Sequence, residues 1–316
     1  MNYVTLGRTD LRVSRICFGC APLSGYDYGP VDDAVSIAAL RRAHELGINF
    51  FDTADIYGLG RAERVLHLAF GINLSELVIA TKVGVTRECD DKTRRNLSPA
   101  HIRQAVEASL ERLKLETIPL YQIHWPDEKT QWEDCIATLE NLRSAGKIRH
   151  YGACNLNATQ IEICQGIGRL ESLQLPFSLV AQEHQNLLRM ARIAYGMTTL
   201  SYNVLAHGFL AGKYAKDTQF DQTDLRQRAK TSPPPYFNRI FEVLDSIRAI
   251  AKKHNRDCAE VAISWTMAQD EVAVALVGTK TAAQIETSAR ASDWILPASD
   301  FAVLSAVSRQ HIAPSV

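Results

Sequence analysis

The stretch Phe50-Phe51-Asp52-Thr53-Ala54-Asp55-Ile56-Tyr57 runs from two aromatic residues into a carboxylate and ends on a phenol. An acid at the end of an apolar run suits a buried strand whose last inward side chain is charged, with the tyrosine on the following loop turned back over it. A carboxylate and a phenol so placed are parts for proton-transfer chemistry. The structural alternative is an aspartate that caps the next loop beside a satisfied core tyrosine, and the pair alone does not separate the two. Further polar groups stand at equivalent places. Lys82 lies near the end of Ala80-Thr81-Lys82-Val83, and His124 closes Tyr121-Gln122-Ile123-His124. Asn155, Gln182, Tyr202 with Asn203, and Gly278 follow or end later apolar runs.

The elements that must position these groups are short and regular. Residues 16–20, 48–53, 77–83, 118–124, 148–153, 177–182, 199–204 and 272–277 read as strands. Between them lie amphipathic segments: Ile102, Val106, Leu110 and Leu113 form one stripe behind Ser98 and Pro99, a good cap and first helical residue. Trp132, Ile136 and Leu139 form a second, and Ile240, Leu244, Ile247 and Ile250 a third. Continuously apolar strands alternating with amphipathic helices imply a parallel sheet covered on its outer face, and eight of them point to a (β/α)8 barrel. Catalytic side chains then come from the C-terminal ends of the strands, which is where Asp52, Lys82 and His124 fall. The turn Gly7-Arg8-Thr9-Asp10 predicts an N-terminal hairpin that could plug one end of the barrel. Residues 189–195 leave room for a sixth helix of only one or two turns, which could expose apolar barrel surface or create an oligomer contact. A long irregular region, 213–235, is a candidate lid.

The chain has 316 residues, 46% hydrophobic and 22% charged, the size and balance of a single barrel domain over residues 1–316. Lys+Arg and Asp+Glu are both 35, so no net field draws the chain to nucleic acid or membrane. With no leader-like N-terminus and no run long enough to span a bilayer, a cytoplasmic protein is expected. Seven scattered cysteines argue for a reducing compartment rather than a disulfide framework. In Cys17-Phe18-Gly19-Cys20 the thiols sit three apart on a strand and point to opposite faces, so no dithiol site is expected. The histidines show no close pair at metal-ligand spacing, and no metal is expected.

The spacing of Asp52, Tyr57, Lys82 and His124 resembles that of the aldo-keto reductase family, over nearly the whole chain from Leu6-Gly7-Arg8-Thr9 to Gln284. The resemblance implies a (β/α)8 barrel that binds NADPH, sometimes NADH, along the strand C-termini and interconverts carbonyls and alcohols. It makes Tyr57 the proton donor, Lys82 the ammonium that makes the phenol a better acid, Asp52 the partner that keeps Lys82 charged, and His124 the group that orients the substrate oxygen. By the same resemblance, Asn155, Gln182 and Tyr202 line the nicotinamide site, and Gly19 and Cys20 are also cofactor-binding residues. Asn203, Leu205 and Gly208 belong to the pyrophosphate loop, with the cofactor-binding Lys213 beyond it. Gly278, Thr279, Lys280, Gln284 and Ser288 hold the adenosine end, with Lys280 the cation for a 2′-phosphate or else a solvated surface lysine.

Several positions depart from the family pattern. Thr287-Ser288 stands where many relatives have Glu-Asn, and Gln185 where a tyrosine is frequent. Gly58-Leu59-Gly60 imitates a dinucleotide fingerprint but has Glu63 at the third glycine position, so it reads as a turn whose backbone could line the substrate mouth. Tyr26, Tyr28 and Trp125 are candidate substrate contacts, with rim packing as the alternative. The expectation is an NADPH-dependent reductase of aldehydes or ketones, a monomer or small homo-oligomer acting on a small carbonyl or sugar. The competing readings are an aldose or pyridoxal-type dehydrogenase using NAD, a weakly catalytic cofactor-binding regulatory member, and a metal-dependent barrel hydrolase.

Overall fold

The computed structural model describes residues 1–25, 28–87, 92–222, 224–227 and 237–309. Eight parallel strands close into a barrel in sequential order: Ile16–Gly19, Phe50–Asp52, Val78–Val83, Ile118–Ile123, Ile148–Cys154, Ser172–Pro176, Thr198–Tyr202 and Val274–Gly278. Helices on the outside cover it. Alternation along each strand separates two apolar populations. Phe18, Phe51, Ile79, Val83, Ile123 and Leu173 face outward into the layer shared with the helices, whereas Cys17, Phe50, Val78, Ala80, Leu120, Leu200, Val274 and Leu276 fill the barrel interior.

The hairpin Tyr3–Thr5 with Arg12–Ser14 pairs antiparallel and inserts Leu6, Leu11 and Val13 into that interior cluster. Its partners Phe50, Val78 and Val274 are the first residues of their strands, so the plug closes the N-terminal mouth and leaves the C-terminal mouth for chemistry. The expected helix over the 102–113 stripe is Pro99–Leu113, capped by the Ser98 hydroxyl accepting from the His101 amide. The 240–250 stripe lies on Phe237–His254 with all four of its residues buried. Among the described residues no helix is long and apolar enough to cross a membrane.

Two expectations need correcting. The sixth strand is Ser172–Pro176, not 177–182. Residues 177–181 are buried in a turn closed by a bridge between Ser178 and Ala181, Gln182 is half-buried, and Phe177 stacks on Trp265 at 6.0 Å. The true strand escaped notice because Ser172 and Gln174 alternate with Leu173 and Leu175, and the polar pair faces into the barrel rather than to solvent. Because the strand ends earlier, the sixth helix also begins earlier: Gln185–Tyr195 makes three turns rather than one or two. Leu188 and Ala191 pack inward, while Ile193 is 76% exposed.

Beyond the third strand the chain forms a second antiparallel hairpin, Val85–Arg87 with Thr93–Arg95, which rises over the C-terminal mouth. Nothing in the sequence reading anticipated it. Residues 223 and 228–235 of the expected lid, and Tyr26 among the expected substrate contacts, lie outside the described residues.

Candidate active site

At the C-terminal mouth a buried polar network crosses the barrel. The Lys82 ammonium donates to Asp52 Oδ1 at 2.6 Å and to the Thr53 carbonyl at 2.8 Å. The other carboxylate oxygen of Asp52 accepts from Gln122 Nε2 at 3.2 Å and from Gln174 Nε2 at 2.8 Å. Asp52, Gln122 and Gln174 come from strands two, four and six, the alternate-strand layering expected of a barrel interior. Ser172 extends the network by donating to Gln122 Oε1 at 3.2 Å. Gly152 gives it room, since a Cβ there would sit 2.9 Å from the Ser172 carbonyl oxygen and collide with its hydroxyl.

Tyr57 and His124 lie above this layer. The Lys82 ammonium is 5.1 Å from the centre of the Tyr57 ring, and the Tyr57 and His124 rings meet edge to face at 5.8 Å. Burial pushes the Tyr57 phenol up to about 12, and the neighbouring Lys82 pulls it down without winning. This reverses the expected direction, in which the ammonium alone would acidify the phenol. For Lys82 burial opposes the charge, but Asp52 outweighs it and the pKa is raised, so the ammonium is held charged. Burial, seconded by Lys82, drives the His124 pKa well below the ordinary imidazole value, so the ring is neutral. Its Nδ1 is buried with no hydrogen-bond partner among the described residues.

These groups open onto a cleft of about 460 Å³ lined by Tyr28, Gly58, Tyr57, His124 and Trp125 together with the second hairpin. A lysine–carboxylate pair locked beneath a phenol and a neutral imidazole at the floor of a cleft brings together the group types that proton transfer uses. A family model, "Aldo/keto reductase family", matches residues 15–309. The chain belongs to the aldo/keto reductase family. It is an NAD(P)H-dependent oxidoreductase acting on CH–OH and C=O groups. Aldo-keto reductase YhdN of Bacillus subtilis is 29% identical over 304 residues, 95% of this chain and 91% of the relative. The NADH-specific methylglyoxal reductase of Escherichia coli is 27% identical over 306 residues, 92% and 93% of the two chains. Among solved structures, the glycerol dehydrogenase of Gluconobacter oxydans superposes with a TM-score of 0.88 at 30% identity, covering 99% of this chain and 98% of that one.

The residues expected along the family's cofactor groove fall into three groups. Tyr202 donates to Asn155 Oδ1 at 2.9 Å, and Asn155 donates to the His124 carbonyl at 2.9 Å, so these three are joined at the mouth. Gly19 and Gly278 are register partners on strands one and eight, close enough that a Cβ on Gly19 would lie 3.3 Å from the Gly278 backbone. Cys20 follows, its amide donating to the Asp52 carbonyl at 2.8 Å and its thiol, raised by burial, un-ionised. In the loop after strand seven, Asn203 accepts from the His207 amide at 2.9 Å, and Leu205 accepts from the Gly208 amide at 2.8 Å. Lys213 is exposed just beyond.

At the far end Lys280 precedes the helix Ala282–Ala291, and its ammonium donates to the Tyr28 carbonyl. Burial and then Arg226 lower its pKa, while Asp224 acts the other way. Gln284 turns its side chain back onto the Lys280 amide at 2.8 Å. Thr279 and Ser288 are buried, and their hydroxyls donate to the Val277 and Gln284 carbonyls at 3.2 and 3.0 Å.

Gln182 does not join this set. Its amide donates to the Ser308 hydroxyl on the helix Ala298–Arg309, off the barrel strand to which it was assigned. Gln174 is the glutamine on the sixth strand, and its bond to Asp52 is the signal that identifies it. Gln122, Arg226, and the arginines of the second hairpin were likewise not singled out beforehand. For Gln122 and Gln174 the available clue was a glutamine flanked by apolar residues inside a strand, which is costly to bury unless bonded.

Proposed function

We propose that this family member is an NADPH-dependent reductase of aldehydes or ketones in which Tyr57 donates the proton. The observation that carries the reading is the stack of Asp52, Lys82, Tyr57 and His124 at the floor of the cleft. A bound nicotinamide cofactor supplies the hydride. The residues of the chain handle the charge that develops on the substrate oxygen. His124, neutral and with Nδ1 buried, has Nε2 left to hydrogen-bond that oxygen and orient it over Tyr57. The Tyr57 O–H bond breaks as the new alcohol O–H forms, and Lys82 compensates the phenolate left behind. A phenol near 12 is still strong enough, because an alkoxide is far more basic, with water itself at about 15.7. General-acid help of this kind accounts for roughly 10²–10⁴ in rate.

The donor set suits a dinucleotide phosphate. Asn155 and Tyr202 offer an amide and an aromatic face at one end of the groove. Lys280 and Arg226 act on each other electrostatically at the other, beside the start of the helix Ala282–Ala291. One observation favours NADH instead: Asp224 also acts on Lys280, and a carboxylate there competes with a 2′-phosphate. That variant of the reading runs toward alcohol or sugar oxidation. A cytoplasmic setting and a monomer or small homo-oligomer complete the proposal, with Ile193 on the sixth helix an apolar contact available to a second copy.

The test is a tryptophan-fluorescence titration with NADPH and NADH, followed by an aldehyde panel with the preferred cofactor. Tighter NADPH binding and aldehyde-dependent oxidation of NADPH are expected. Binding of neither cofactor refutes the reading.

A further inference from the structure

The second hairpin places three guanidinium groups around the substrate cleft. Its register pairs Val85 with Arg95 and Arg87 with Thr93, and residues two apart on a strand share a face with their cross-strand partners. Val85, Arg87, Thr93 and Arg95 are therefore one face of the ribbon, and all four line the cleft; Thr86 on the other face does not. Arg94 reaches the cleft as well. Arg95 is held in place, its guanidinium 4.7 Å above the ring of Trp125, the residue next to His124. Cation–π stacking of this kind orients the guanidinium while leaving its N–H edge free to bond an anion.

We infer that this cleft selects carbonyl compounds whose far end carries an anionic group, a carboxylate or a phosphate, with Arg95 and Arg87 binding that group while the carbonyl sits between Tyr57 and His124. The inference rests on the oxidoreductase reading above and narrows its substrate class. Arginine suits the task because its planar fork matches both oxyanions, and a charge-assisted pair is about twice as strong as a neutral one. The chain as a whole is neutral, with Lys+Arg and Asp+Glu both 35, so any preference for anions must come from the contacts that Arg95 and Arg87 make in the cleft rather than from overall charge.

The experiment compares probes matched in shape and different in charge: 4-carboxybenzaldehyde against methyl 4-formylbenzoate, and D-glyceraldehyde 3-phosphate against D-glyceraldehyde. The wild-type protein should favour the charged member of at least one pair by roughly tenfold or more in kcat/KM, and that preference should shrink as salt is added. Which pair responds separates carboxylate from phosphate. Arg95→Gln with Arg87→Gln should abolish the preference by lowering kcat/KM for the charged members roughly tenfold more than for the neutral ones, a split that a merely structural role for the hairpin does not give. Equal use of charged and neutral probes, with turnover intact, overturns the inference and leaves the reductase reading standing. Conversely, fluorescence titration of the same probes reads the anion site without turnover. Charged-probe binding that is lost in the double variant, together with no turnover of any carbonyl, supports the anion site and refutes the reductase reading.

Discussion

Replacing Lys82 by methionine removes one half of an ion pair that has almost no access to water: Lys82 is 0% and Asp52 3% exposed. Asp52 then keeps two neutral amide donors, Gln122 at 3.2 Å and Gln174 at 2.8 Å, and loses the 2.6 Å ammonium. Breaking a buried pair from one side costs about 3–5 kcal/mol, because the surviving charge stays desolvated without its counter-charge. With a urea slope of about 3 kcal/mol/M, the unfolding midpoint should fall by about 1–1.7 M. Adding Asp52→Asn removes the stranded charge and should recover more than half of that loss, so the double variant is more stable than Lys82→Met alone. Both are expected to be inactive, which makes urea titration followed by circular dichroism the informative assay. A Lys82→Met midpoint within about 0.2 M of wild type, or a double variant no more stable than the single, refutes the claim that charge pairing holds this layer together.

Other consequences are as direct. Gly152→Ala drives a Cβ against Ser172 and should cost about 1–3 kcal/mol in stability, read from the same urea titration. Lys280→Met should weaken NADPH binding by roughly tenfold and leave NADH binding unchanged, the loss expected for one charge-assisted phosphate contact. Neither Tyr57 nor His124 should change protonation between about pH 6 and 9, the buried group close to them that is raised into that range being Asp55, pushed up to about 7 by burial and then Glu63. Tyr57, raised to about 12, stays protonated throughout, and His124, its pKa depressed by burial and Lys82, stays neutral down to acid pH. Titration of the His124 ring near pH 6.5, the ordinary imidazole value, read by NMR of its ring protons, contradicts that electrostatic account.

The barrel was legible because seven of its strands are apolar runs punctuated by amphipathic helices, and the side chains at their ends are the few polar ones in reach of the mouth. The sixth strand was not, because its inward residues Ser172 and Gln174 serve the polar network. To a reading based on apolar continuity they look like a loop, and the turn at 177–182, buried through Ala181, looks like the strand. The misplacement carried Gln182 into the expected site and trimmed the sixth helix. The arginine hairpin was illegible for the opposite reason: Thr93, Arg94 and Arg95 are exposed, and only their cross-strand register with residues 85–87 shows which of them face the cleft. Spacing could bring Asp52, Tyr57, Lys82 and His124 together, but the direction of the Tyr57 shift needed the burial that only the folded chain supplies.

The central claim is that Tyr57 is the proton donor, and the most direct test is Tyr57→Phe measured for both turnover and cofactor binding. The account predicts a fall in carbonyl reduction of roughly 10²–10⁴ with the cofactor dissociation constant unchanged. Turnover equal to that of the wild-type protein would contradict it.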